Sequence, residues 1–127
     1  MQRVAVYRNL HKNCLSIQSR ERENYGKIIG YCKSIFLKRP EFIVREKSRL
    51  RVLKEGRKNV HAFVVGRCPD LKLWSWQDRD ITMGGNPTTK IFYNPYKYST
   101  FVDKVGNPVY KARAVVVNTN YIQADLN

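Results

Sequence analysis

The sequence predicts an α+β domain: a small antiparallel sheet or open barrel of about seven short strands, with one basic helix packed on it. Three observations lead there. Apolar residues alternate with polar ones in short runs separated by Gly, Pro and Asn punctuation. A single window, residues 45–55, is built mainly of strong helix formers and is followed by Gly56. No apolar run approaches the roughly 20 residues of a membrane span. At 127 residues the chain fits one domain, 1–127, large enough to bury its own core.

In order, RVAVYR (3–8) alternates as a strand with Val4 and Val6 on one face, and LSIQS (15–19) answers it across a polar turn. RERENYG forms a charged turn closed by Gly26. KIIGYCKSIFLK (27–38) reads as one strand, with Gly30 marking a bulge or a close backbone approach, and Pro40 is expected to break it before EFIV. In the helix, Leu50 and Leu53 share a face and are expected to dock on the sheet. VHAFVVG (60–66) has the length and apolarity of a central strand. LKLWSW (71–76) places two tryptophans on one face. Residues 89–104 carry five aromatics around the Asn94-Pro95 turn, 109–119 form the last clear strand, and YIQADL a weak one.

Charge is the outlier. The chain holds 24 Lys+Arg against 10 Asp+Glu, a net of +14, and residues 1–66 alone carry 16 basic and 5 acidic side chains. A soluble surface needs a net charge of only about 2–8. Such an excess favours a polyanionic partner, of which nucleic acid, RNA or DNA, is the commonest. A membrane surface fits less well, because no long amphipathic helix with a Trp or Phe face accompanies the charge. The N-terminus lacks the pattern of a signal peptide, and a soluble intracellular domain is expected.

The candidate contacts follow from this. Arg45, Lys47, Arg49, Arg51, Lys54, Arg57 and Lys58 stand against only Glu46 and Glu55, and would meet phosphates from the helix and its flanking turn. Lys97 is a further candidate contact, and the aromatics Trp74, Trp76, Tyr93, Tyr96 and Tyr98 are candidates for stacking on unpaired bases. No second helix completes a helix-turn-helix, and neither the RNP pattern nor a GXXG loop is present.

Catalysis finds little support. His11 and His61 could serve a metal-independent ribonuclease if the fold joined them, and Asp78 with Asp80 could hold a divalent ion. Neither pair has a partner motif, so no catalytic residue, metal or cofactor is assigned. Cys14, Cys32 and Cys68 are an odd, widely spaced set, expected as buried thiols and not as zinc ligands or disulfides.

Three stretches, VYRNLHKNCLSIQSR, EGRKNVHAFVVG and YNPYKYSTFVDK, resemble small basic proteins of tailed bacteriophages and related mobile elements. The resemblance identifies a lineage and not a chemistry. It implies action in the host bacterial cytoplasm, as an accessory protein that binds nucleic acid. Its alternatives are an anti-CRISPR-like inhibitor acting on a host ribonucleoprotein effector, or a virion component.

Overall fold

The computed structural model describes residues 2–9, 11–55, 62–68, 80–81, 87–93 and 101–126. Nine strands occupy most of them: β1 (Gln2–Asn9), β2 (Cys14–Ser19), β3 (Ile28–Cys32), β4 (Ser34–Val44), β5 (Ala62–Cys68), β6 (Asp80–Ile81), β7 (Thr89–Ile91), β8 (Ala114–Asn118) and β9 (Ile122–Asp125). One helix, α1 (Glu46–Glu55), joins β4 to β5. The strands form one sheet in the order β3-β2-β1-β5-β4-β8-β9-β7, antiparallel throughout except that β6 runs parallel to the start of β4.

Local chemistry explains the first hairpin. Asn9 Oδ1 accepts hydrogen bonds from the backbone N–H groups of His11 (2.9 Å) and Lys12 (2.8 Å), turning the chain so that Val6 pairs with Ile17. Gly26, at φ 86°, closes the next turn at little steric cost. The register between β2 and β3 slips beside Gly30, the position marked in the sequence as irregular.

Alternation gives the sheet two unlike faces. Val4, Val6, Leu15, Ile17, Ile35, Leu37, Phe42, Val64, Val115, Val117 and Ala124 converge on one core. Ala5, Phe63 and Val65 form a smaller cluster on the outside, with Tyr7 and Ile43 against it. Val6, Leu15 and Val64 from one half of the sheet line the same cavity as Ile91, Val117 and Ile122 from the other. The sheet is therefore curled, and its two halves cover each other.

β4 makes the corner. Its first residues pair with β8 and its last with β5, and Lys38 is paired to both. Between Lys38 and Glu41 the register shifts, Arg39 takes φ 49°, and buried Pro40 sits in the bulge, where its missing N–H costs no ladder hydrogen bond. Pro40 thus bends one long strand instead of ending it, and the expected single strand 27–38 is divided near Lys33. Gly66 makes the bend possible. A Cβ there would lie 3.0 Å from Leu37 Cβ, 3.2 Å from the Lys38 carbonyl oxygen and 3.3 Å from Pro40 Cα.

The expected α+β class is corrected to a mostly antiparallel β fold with one short helix. The helix exists where the composition placed it, but it is not the layer that covers the sheet. Leu50, expected to dock, is 47% exposed, and the Leu53 side chain lies outside the described residues, as does the cap expected at Gly56. The physical reason is the curl: once the sheet buries its own inner face, no helix is required to supply a second layer. Instead α1 touches the outer cluster through its entry residue Arg45, whose guanidinium lies 4.6 Å from the Phe63 ring centroid.

Candidate nucleic-acid interface

The outer face carries an arrangement that no local stretch of sequence displays. Arg3 of β1 pairs with Arg67 of β5, and Arg67 pairs with Lys38 of β4. Residues directly opposite on neighbouring strands stand about 4.5–5.5 Å apart at Cβ, and like charges there repel. All three side chains are exposed, and no ion pair among the described residues engages any of them. The nearby Glu21 carboxylate accepts from the Arg3 backbone N–H (2.8 Å).

Lys38 also opens the wall of a groove, lined in addition by Arg39, Lys111, Arg113, Glu41 and Asp125. Backbone hydrogen bonds fix its two sides: Arg39 N–H donates to the Arg113 carbonyl (2.8 Å), and Ala112 N–H to the Pro40 carbonyl (3.1 Å). Tyr110, bound through its carbonyl to Phe42 N–H, is 66% exposed at the end of this segment. Six cations, Arg3, Arg67, Lys38, Arg39, Lys111 and Arg113, thus form a basic band with three carboxylates, Glu21, Glu41 and Asp125, beside it. Arg39 adopts a left-handed backbone that costs a non-glycine residue about 1–2 kcal/mol, a strain of the kind found at ligand clamps.

The residues expected from sequence are distributed differently. Lys47, Arg51 and Lys54 are exposed on α1. Arg45 is exposed but lies over Phe63, on the same outer face as Arg67. Arg49 is turned inward: its side chain is 15% exposed and bonds the Glu46 carboxylate at 2.7 Å. Burial pushes the Tyr93 hydroxyl well above its ordinary range, with the Arg49 guanidinium drawing it partly back. Arg57, Lys58, Trp74, Trp76, Tyr96 and Lys97 lie outside the described residues, as do His61 and Asp78 of the two catalytic alternatives. His11 is exposed at the first hairpin turn.

Cys14, Cys32 and Cys68 are buried, and burial pushes the Cys14 thiol up despite Lys12 and Lys33 nearby. Among the described residues no group of three or more His, Cys, Asp or Glu side chains is placed to hold a metal ion. No described helix is long and apolar enough to cross a membrane.

The band, the groove and the helix all fall inside a single match to known sequences. Residues 1–125 match the family described as Mycobacterium phage L5 gene 82 protein. The chain belongs to this family. The gene 82 protein of Mycobacterium phage L5 itself is 36% identical over 106 residues, covering 79% of this chain and 76% of the relative. The phage kinship expected from the three sequence stretches is thereby shown, and the family's span includes every cation of the outer band. No solved structure matches the chain.

Proposed function

We propose that this gene 82 family protein binds nucleic acid through the outer face of its sheet, as an accessory protein acting on RNA or DNA in the host cytoplasm. The observation that carries the reading is the Arg3–Arg67–Lys38 row. Three like charges held opposite one another, without a described acidic partner, are a cost in the free protein that a polyanion relieves. Across three strands the row spans roughly 10 Å. Its three cations can neutralise at most three phosphates together, and the groove cations extend the track.

Contacts of this kind give affinity and salt dependence with little sequence selectivity. Exposed Tyr110 beside Lys111 offers one ring for stacking on an unpaired base, which favours single-stranded or irregular nucleic acid over a regular duplex. The α1 cations add long-range attraction at the edge of the band.

The test is fluorescence anisotropy with a labelled 20-nucleotide single strand and the matching duplex across a salt series. The expected result is binding that weakens steeply with salt and is tighter for the single strand. Affinity indifferent to salt, or purification from infected cells with a host protein that survives nuclease treatment and no nucleic acid, would replace this reading with the protein-directed inhibitor.

A further inference from the structure

At the opposite end of β1 from Arg3, the curled sheet leaves its interior open. The cavity there has a volume of about 210 Å³, larger than the roughly 150 Å³ engineered apolar cavity that stays dry and accepts benzene. Its floor is apolar: Val6, Leu15 and Val64 from one half of the sheet face Ile91 and Val117 from the other and Phe101 from the segment between them, each at most 5% exposed. Its rim is cationic. Arg8 continues the inward face of Val4 and Val6 to the strand's exposed end, and Lys90 stands across the opening with its Nζ 5.2 Å from the Phe92 ring centroid. Among the described residues, neither Asp nor Glu lines the cavity.

We propose that this cavity is a binding site for a small amphiphilic anion, a compact apolar body with one carboxylate or comparable acidic group. The floor favours the body, because burying apolar surface there needs no hydrogen-bond partner. Asn118, Thr119 and Asn120 also line the cavity and could meet a polar edge, so a nucleotide is the competing ligand that the titration includes. The Arg8 guanidinium presents the planar fork that matches a carboxylate, with Lys90 as a second, mobile charge. Open ends of curled and closed sheets are recurrent places for such ligands. The site is independent of the outer basic band: it lies on the inner face, and its ligand is a small molecule.

Octanoate and adenosine monophosphate, each titrated into the 15N-labelled full chain, test the assignment. The result expected is saturable, one-to-one binding of octanoate, with shifts centred on Val6, Arg8, Ile91 and Val117. Adenosine monophosphate should leave those signals unmoved. Ala62→Phe, which fills the cavity from the first residue of β5, should abolish the octanoate shifts. Should that variant not fold, Arg8→Gln at the exposed rim keeps the test decisive: octanoate should weaken about three- to fivefold, the effect of losing one exposed ion pair, while octanol binding stays unchanged. Shifts from adenosine monophosphate alone, octanoate binding that persists in folded Ala62→Phe, or no saturable octanoate binding would each overturn it. A free metabolite and a membrane lipid could both supply this chemistry. Octanoate binding undiminished by added phosphatidylglycerol vesicles indicates the free acid, and transfer of the protein to those vesicles indicates the lipid.

Discussion

The helix α1 and the outer face of β1, β5 and β4 are both rich in cations, and they present them in opposite ways. On α1 the charges are dense in sequence but scattered in role: Lys47, Arg51 and Lys54 point to solvent, Arg45 covers Phe63, and Arg49 is bonded to Glu46. On the sheet the charges are separated by dozens of residues, at 3, 38 and 67, yet the strand register aligns them in one row. Lys47 and Arg51 repel one turn apart on the helix, as the paired sheet cations do across strands, but only the sheet sets three cations directly opposite one another. High local charge in a sequence thus marks a basic protein without showing which cations the fold aligns.

The comparison breaks most readily through nucleic-acid affinity. Arg3→Gln, Lys38→Gln and Arg67→Gln together should weaken single-strand binding by roughly two orders of magnitude at ~0.1 M salt, because three phosphate contacts at a slope of about 0.7 each span about two decades between 1 M and that concentration. Lys47→Gln, Arg51→Gln and Lys54→Gln together should weaken it only a few-fold and leave stability within about 0.5 kcal/mol, since exposed charges contribute little. Anisotropy titrations of the two triple variants measure the difference, and equal losses would place helix and sheet on the same footing.

The next effect concerns the corner that sets the row. Gly66→Ala should cost about 1–3 kcal/mol in urea unfolding, since its methyl meets Leu37 Cβ and the bulge backbone at 3.0–3.3 Å. Nucleic-acid binding should fall with it, because Lys38 pairs with Arg67 across this contact. A smaller change of opposite sign is expected for Arg39→Gly, which relieves the φ 49° backbone and should stabilise the fold by about 0.5–1 kcal/mol while removing one groove cation. Stability and affinity moving apart in this variant would identify Arg39 as strained in the service of binding.

The smallest effect lies away from both regions. Asp103 accepts hydrogen bonds from the Asn107 and Val105 N–H groups, and the Asn107 bond leads in holding its carboxyl below the usual carboxylate range. Its folded pKa is lowered, so its contribution is present above the unfolded value near 3.8 and is lost as pH falls through the folded one. An NMR titration should show Asp103 more than half charged at pH 3.8, with the 103–107 turn loosening as the carboxyl is protonated.

Much of the fold was legible because it is written in short-range alternation. Val4/Val6, Leu15/Ile17 and the apolar 60–66 run identified β1, β2 and the central β5, and Gly30 marked the irregular register. The helix span was also readable from propensity. Its packing was not, because Leu50 looks like a core residue until the sheet is known to close over itself. Pro40 misled for a related reason: within a bulge it bends a strand that a flat ladder would have ended. The basic band was invisible for a different reason. Arg3, Lys38 and Arg67 become neighbours only through antiparallel pairing across more than sixty residues of chain, and nothing in a local window records that register.

Backbone amide shifts of the 15N-labelled protein, followed while a short single-stranded oligonucleotide is added, test the central claim most directly. The largest shifts are expected at Arg3, Lys38, Arg39, Arg67, Lys111 and Arg113, with weaker changes along α1, all reversed by salt. Shifts confined to residues 46–55, or none at oligonucleotide concentrations well above that of the protein, would contradict it.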